Sequence, residues 1–199
     1  MADKYDLVIV GGGPAGASAA IFAARAGLRT LVLDADKGMT RRAQVNNLLG
    51  FPDGITGPEL VELGQQHAQG AGADWQNTEV TALQPADDTV RLATSDGGTF
   101  DADHVLLTTG ASAALAHDAG VDTRPGTEPR MKEAIVVDEQ GRTSLRRLWA
   151  AGAAAGASVH VIITAGDGAR VAINIISDRK GERHVDHDVL PTPTVTATS

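Results

Sequence analysis

The sequence predicts an α/β fold in three layers, with a parallel sheet packed between helices and a small antiparallel β-meander. The first observation behind this prediction is a strand, a glycine turn, an Ala-rich helix and a second strand over residues 5–34. The second is a set of short strand-like runs over residues 79–102, in which a turn at residues 95–98 joins two strands. A strand–helix–strand unit of the first kind is typical of a Rossmann-like parallel sheet.

The first unit carries the residues that a dinucleotide site needs. An apolar strand over residues 5–10 runs into Gly11–Gly12–Gly13–Pro14–Ala15–Gly16, and the helix follows directly. Such a turn brings backbone N–H groups and a helix N-terminus close to a pyrophosphate. The second strand ends at Asp34, where an acceptor for ribose hydroxyls belongs. The pattern therefore predicts nucleotide binding, against the alternative of a tight turn without a ligand.

We expect one domain over residues 1–187 and a Thr- and Pro-rich tail over residues 188–199 with no core of its own. In the predicted helix after the first unit, Leu60, Leu63 and His67 fall on one stripe. The elements predicted after residue 34 are a polar loop (37–51), a helix (57–68), the meander (79–83, 89–94, 98–102), a buried strand (104–110), a connector (111–132), a strand (134–137), a last parallel strand (148–152) and a helix (161–177).

Composition excludes several classes of function. The net charge of −8 disfavours a nucleic-acid partner, which needs a clustered basic face. The chain has no cysteine, so thiolate nucleophiles, disulfides and thiolate metal sites are excluded. No apolar run approaches the length of a membrane span and no signal pattern is visible, so we expect a cytoplasmic protein without membrane contact.

Further motifs follow in order along the chain. The most specific is the stretch Asn47–Leu48–Leu49–Gly50–Phe51–Pro52–Asp53–Gly54–Ile55–Thr56–Gly57–Pro58–Glu59–Leu60, which generic Rossmann proteins lack. The others are Asp96–Gly97, Thr108–Thr109–Gly110, residues 137–144, Trp149–Ala150–Ala151–Gly152 and Thr164–Ala165–Gly166–Asp167–Gly168. With these motifs the chain resembles the FAD domain of the low-molecular-weight thioredoxin reductases, a family of pyridine nucleotide-disulfide oxidoreductases.

Three departures from that family matter. The NADPH domain of the family is replaced by the connector over residues 111–132, which is shorter than a βαβ unit of about 30 residues. The redox C-x-x-C is absent with all other cysteines. The late Gly-Asp pair, whose Asp holds the flavin ribitol in the family, is Gly152–Ala153 here, which weakens the inference of FAD.

The resemblance implies FAD as the cofactor and assigns residues to it. Asp34 accepts from the adenosine ribose, Val80 meets the adenine edge through its backbone, and Asn47 approaches the flavin. His160 and Val161 meet the isoalloxazine at a helix N-terminus, whose partial positive charge suits a reduced flavin. The residues placed at the pyrophosphate or along the rest of the cofactor are Gly11, Gly13, Pro14, Ala15, Gly16, Thr109, Gly110 and Gly152.

Each of the less specific assignments has a structural alternative. Arg41 and Arg42 offset the pyrophosphate charge or belong to a solvated loop. Asn47 contacts the flavin or caps a turn, and His160 contacts the flavin or is a polar helix start. Residues 184–188 have a metal-like composition but are interpreted as a polar tail, so we assign no metal and no catalytic side chain.

Three functions remain open on these residues. The first is a thioredoxin reductase-like FAD oxidoreductase without its own NADPH domain or redox disulfide, which takes electrons from a free reductant or a separate donor protein. The second is a non-catalytic flavin-binding sensor or partner-regulating module. The third is a protein that binds ADP or NAD and no flavin. The resemblance also implies a homodimer, with a monomer as the alternative.

Overall fold

The computed structural model describes residues 3–190 of the 199-residue chain. The strands are β1 (Asp3–Val10), β2 (Thr30–Asp34), β3 (Gln44–Val45), β4 (Ile55–Thr56), β5 (Asp74–Asn77), β6 (Val80–Pro85), β7 (Val90–Thr94), β8 (Thr99–Leu107), β9 (Thr123–Pro125), β10 (Glu133–Ile135) and β11 (Leu148–Ala150). The helices are α1 (Pro14–Arg25), α2 (Gly57–Gly70), α3 (Ala114–Asp118) and α4 (Val161–Lys180), with 3-10 turns at Met39–Arg42 and Gly152–Ala155. Over residues 3–190, no helix combines the length and the apolar character that crossing a membrane requires.

The main sheet has seven strands, in the order β5-β2-β1-β8-β7-β6, with β11 also paired to β8. β5, β2, β1, β8 and β11 are parallel. β8 pairs with antiparallel β7 along its first half and with parallel β11 along its second half. Val10 pairs with Leu33 and Leu107, and Leu107 pairs with Ala150, so the parallel strands end together at one edge. The predicted α/β fold with a parallel sheet and an antiparallel meander is confirmed.

One predicted boundary is wrong. The sequence predicts two strands over residues 98–102 and 104–110, one in the meander and one in the parallel sheet. They form the single strand β8, because the pairing with β1 keeps the same register on both sides of Asp103, from Tyr5–Ala102 to Leu7–His104. The meander and the parallel sheet are therefore one continuous surface.

Helices α1, α2 and α4 cover one face of the sheet. α4 buries Val171, Ala172 and Ile175 against this face. Burial of a Val or Ile side chain stabilises the fold by about 1.5–3 kcal/mol. A Cβ built on Gly168 of α4 would lie 2.0 Å from the carbonyl oxygen of Ala15 in α1. The two helices therefore approach each other through backbone at the start of α1.

On the other face, apolar side chains of the parallel strands pack in one buried cluster with those of the meander, α3 and β10. The connector over residues 111–132 contains α3 and β9, and its Ala116 and Val121 are buried in the core. Within the described residues, this connector contributes no parallel strand. Arg25 of α1 binds Asp186 and Asp188, so the chain after α4 returns along α1. The predicted tail lies mostly outside the described residues.

Candidate nucleotide-binding site

The glycine turn joins β1 to α1 at the carboxyl edge of the parallel strands. Gly11 has a φ of +106°, and a Cβ there would lie 2.5 Å from the carbonyl oxygen of Thr108. The Thr108 hydroxyl contacts the carbonyl oxygens of Val10 and Gly11 at 3.0 and 2.8 Å. A Cβ on Gly16 would lie 1.9 Å from the carbonyl oxygen of Gly11. Glycine is therefore required at Gly11 and Gly16 by the turn itself.

Gly13 differs from these two glycines. It is the N-cap of α1, and no heavy atom lies within 4 Å of its ideal Cβ position. No side chain in the described part of the chain caps the helix, and its first turn has no acidic residue. The first N–H groups of a helix have no partner within the helix and attract anions. The turn thus presents open space beside an uncapped helix N-terminus.

Asp34 stands at the end of β2 beside this turn. Its residue is only 9% exposed, and its carboxylate has no hydrogen bond or ion pair in the range 3–190. A Cβ on Gly12 would lie 2.9 Å from the Asp34 Cγ, so the carboxylate adjoins the turn. A carboxylate is an acceptor only, so one without a partner in the protein can accept from a ligand that donates. Asp34 occupies the position that the sequence predicted for a ribose acceptor.

A cleft of about 230 Å³ opens beside the turn between α1, α2 and the start of α4. Its lining includes Gly13, Pro14, Leu48, Leu60, Leu63 and Val161. The predicted stripe of Leu60, Leu63 and His67 thus faces this cleft, which the buried Val61 also lines, while Ala68 of α2 lies in the core. The cleft is apolar and smaller than a typical ligand pocket of about 300–1,000 Å³.

α4 begins at this cleft with Val161, and His160 is its N-cap. His160 is exposed and does not cap the helix through its side chain. Its Nδ1 lies 2.8 Å from the Ser158 hydroxyl, which in turn lies 3.3 Å from a Glu128 carboxylate oxygen. The same oxygen accepts from the backbone N–H of Val159 at 3.2 Å. Glu128 of the connector therefore fixes the segment that leads into α4.

The remaining predicted residues surround this edge. Thr109 and Gly110 follow β8, and the Thr109 hydroxyl donates to the carbonyl oxygen of Ser112 at 2.5 Å. Gly152 follows β11 with a φ of +71°. Val80 is the buried first residue of β6. The preceding strand, β5, ends at Asn77, which pairs with Asp34.

The predicted polar residues of the loop after β2 have different surroundings. Arg41 forms an ion pair with Asp36, whereas Arg42 is exposed and has no ion pair within the described residues. The Asn47 side chain is exposed and makes no hydrogen bond in the described part of the chain. It caps no turn there.

Sequence reasoning missed Asp167 and Glu128. The Asp167 carboxylate accepts from the backbone N–H of Gly152 at 2.7 Å and from Arg170 at 2.9 Å. It thus ties α4 to the end of β11, next to the position of the family's missing acid, Ala153. The Thr164–Gly168 motif contained Asp167 but gave no sign of its partner. Nothing in the sequence of the connector marked Glu128, because its partners lie 30 and 31 residues away.

No group of His, Asp or Glu side chains in the described residues is arranged to hold a metal ion. The site instead combines a glycine turn, two helix N-termini and an unpartnered carboxylate at the carboxyl edge of parallel strands. This combination is typical of nucleotide-binding α/β proteins.

The family models identify the class more closely. Residues 51–174 match the family described as pyridine nucleotide-disulphide oxidoreductase, and residues 6–80 match the family described as FAD dependent oxidoreductase. The first match covers more than half of the chain. The chain belongs to the pyridine nucleotide-disulphide oxidoreductase family and is thioredoxin reductase-like.

Individual relatives agree with this assignment. The chain is 36% identical over 110 residues to a thioredoxin reductase of Aquifex aeolicus, a match that covers 54% of this chain and 34% of that protein. It is 38% identical over 112 residues to a thioredoxin reductase of Mycolicibacterium smegmatis, covering 55% of this chain and 36% of that protein. These matches span about a third of the length of the two curated relatives.

The fold is also that of solved structures. A thioredoxin reductase from Gloeobacter violaceus superposes with a TM-score of 0.78 at 17% identity, over 96% of this chain and 100% of that chain. At this identity the likeness concerns the fold alone.

Proposed function

We propose that the chain binds FAD along the carboxyl edge of its parallel strands and acts as a flavin-dependent oxidoreductase or electron-transfer protein. The observation that carries this proposal is the Asp34 carboxylate at the end of β2, which has no partner in the described residues and adjoins the glycine turn. Membership of FAD-dependent families supports FAD as the nucleotide.

The residues at the carboxyl edge of the parallel strands suit FAD. The uncapped N-terminus of α1 and Gly13 suit a pyrophosphate, and Asp34 suits the adenosine ribose hydroxyls. Following the resemblance, Thr109, Gly110 and Gly152 line the course of the cofactor, and Asn47, His160 and Val161 meet the flavin ring. FAD supplies the redox chemistry when bound, and the protein supplies binding and electrostatics.

The start of α4 contributes to the electrostatics of the flavin end. No acidic residue lies in the first turn of α4, and no side chain of the described residues caps it. A helix N-terminus carries a partial positive charge and stabilises a nearby negative charge by about 0.3–1 kcal/mol. Glu128 and Ser158 hold the segment before this turn, so they fix where that charge is presented.

The electron donor is external in this proposal. The chain has no cysteine for dithiol exchange, and residues 111–132 contain one short helix and one antiparallel strand. We expect the FAD-loaded protein to react with NADPH without saturation and not to reduce thioredoxin-like disulfides.

Anaerobic stopped-flow absorbance tests this expectation. The rate of flavin bleaching should rise linearly with NADPH concentration. A hyperbolic dependence with a tight, fast NADPH complex would show that the chain binds a nicotinamide donor. Failure of the chain to take up FAD at all would contradict the cofactor itself.

One observation favours a second candidate, a protein that binds ADP or NAD without flavin. Position 153 is a buried alanine where the family has the acid for the flavin ribitol. Competition between FAD and ADP separates the two. If the chain is an FAD-binding protein, FAD should bind more tightly than ADP, whereas equal affinities would favour the second candidate.

A further inference from the structure

A second, larger cavity lies at the opposite edge of the sheet. It has a volume of about 470 Å³, within the range of small-molecule pockets. Arg147 precedes β11, and Arg179 lies in the last turn of α4. α4 starts at the glycine-turn edge and its 20 residues span about 30 Å, so this cavity is remote from the nucleotide site.

The lining of this cavity is rich in arginine, although the chain carries a net charge of −8. Four arginines contribute to it, and Asp178 is its one acidic residue in the described part of the chain. The four arginines are Arg142, Arg146, Arg147 and Arg179.

Three of these arginines are held by neighbours. Arg142 binds Asp178 at 2.8 Å, and its guanidinium lies 5.0 Å from the centroid of the Trp149 ring. Arg179 binds Asp6 and Asp103 at 2.6 and 2.8 Å. Arg147 donates to the backbone carbonyl oxygens of Asp87 and Asp103, both at 3.0 Å.

Arg146 is the exception. It is exposed and has no hydrogen bond or ion pair within residues 3–190. Its guanidinium is therefore available to a ligand, whereas its neighbours are oriented by contacts within the protein. Arginine binds carboxylate and phosphate groups through two parallel hydrogen bonds.

His104 supplies a second free donor. It is 8% exposed, and its Nδ1 accepts a hydrogen bond from the Trp149 indole N–H at 3.1 Å. Burial, with the charges of Arg179 and Arg147, lowers the pKa of His104 to about 4. The ring is thus neutral at pH 7, and its proton is on Nε2 because Nδ1 is an acceptor. The Nε2–H has no partner in the described residues.

From this arrangement we infer that the cavity binds a small molecule that carries a phosphate or carboxylate group. Arg146 and the Nε2–H of His104 donate to the oxyanion. Leu145 supplies apolar surface for the rest of the molecule, and the buried Leu148 and Trp149 lie behind it. This inference does not depend on FAD.

Trp149 provides a local probe. The chain has two tryptophans, so Trp75→Phe leaves Trp149 as the only indole reporter. We would titrate this variant with inorganic pyrophosphate and, separately, with citrate at constant ionic strength. Saturation by pyrophosphate alone assigns a phosphate ligand, and saturation by citrate alone assigns a carboxylate ligand. A linear, unsaturated response to both probes would overturn the inference.

Matched variants test the assigned donor. Arg146→Gln should weaken binding about tenfold, as expected for loss of a charge-assisted hydrogen bond. Arg91→Gln removes the same charge from β7. Arg91 does not line the cavity, and its guanidinium binds the Asp101 carboxylate at 2.8 Å. The affinity of Arg91→Gln for the saturating probe should stay near that of the parent protein. Equal losses in both variants would mean that only the overall charge matters, which contradicts a built site.

Histidine NMR locates the bound probe. The resonances of His104 are identified by their absence from the spectrum of His104→Gln. The saturating probe should raise the His104 pKa, because an anion stabilises the protonated ring. An unchanged His104 titration, with saturable fluorescence, would place the probe elsewhere and overturn the inference.

Discussion

A substitution at Gly13 is expected to affect ligand binding without affecting folding. Its backbone is extended, with φ −70° and ψ −172°, and its Cβ position is open. Valine therefore fits the folded protein without strain. The side chain would occupy the space beside the helix N-terminus that the proposed pyrophosphate needs. We predict that Gly13→Val abolishes FAD uptake, measured by flavin absorbance after dialysis, with an unchanged urea-unfolding midpoint.

Gly38→Val is the matched control for this prediction. Gly38 also has an extended backbone, with φ −61° and ψ 139°, and no heavy atom lies within 4 Å of its Cβ position. This variant should keep FAD. Normal FAD binding by Gly13→Val would remove the glycine turn from the proposed site.

His104 predicts a pH dependence of stability. Its pKa is lowered from 6.5 to about 4 by burial and by Arg179 and Arg147, so the unfolded chain binds more protons between these values. The stabilisation is complete above the unfolded pKa and is lost as the pH falls from about 6.5 to 4. The loss is on the order of 3 kcal/mol.

Urea unfolding between pH 7 and pH 4 measures this loss. His104→Gln should flatten the pH dependence, while His67→Gln, at an exposed position, should retain it. Parallel pH profiles for the parent and His104→Gln would contradict the assignment.

Between elements, the close approach of α4 to α1 depends on Gly168. An added Cβ there would meet the Ala15 carbonyl oxygen at 2.0 Å, so α4 would have to move away from the start of α1. We predict that Gly168→Ala lowers the free energy of unfolding by about 1–3 kcal/mol. Chemical denaturation checks the value.

Gly166→Ala is the control in the same helix. Gly166 is exposed and has no heavy atom within 4 Å of its Cβ position. Alanine there should stabilise the helix by about 0.5–1 kcal/mol. If Gly168→Ala and Gly166→Ala both stabilised the protein, α4 would not approach α1 through backbone at Gly168.

The elements also show what local sequence can predict. β1, the glycine turn, α1 and β2 were predicted because an apolar strand, special turn residues and an Ala-rich helix are all local signals. The continuity of β8 was missed because it depends on pairing with β1, β7 and β11, which lie far away in sequence. The Asp34 position was predicted from spacing. The Asp167–Gly152 and Glu128–Ser158 contacts were not, since they form only after distant segments pack.

At the scale of the whole molecule, apolar side chains remain exposed beside the cleft. Leu49, Ile162 and Ile163 are 87%, 48% and 46% exposed. Exposed apolar patches on soluble proteins often mark interfaces. We therefore predict a homodimer, to be measured by light scattering. Ile163→Glu should give the monomer mass, whereas Val185→Glu, at another exposed apolar position, should not. A parent protein with the monomer mass in dilute solution would contradict the dimer.

The central proposal is that this chain is a flavoprotein with its cofactor at the carboxyl edge of the sheet. Titration of cofactor-free protein with FAD, followed by absorbance of the protein fraction after gel filtration, tests it most directly. We expect one tightly held FAD per chain in the parent and none in Gly13→Val. A parent protein that retains no FAD, or a Gly13→Val variant that retains as much as the parent, would contradict it.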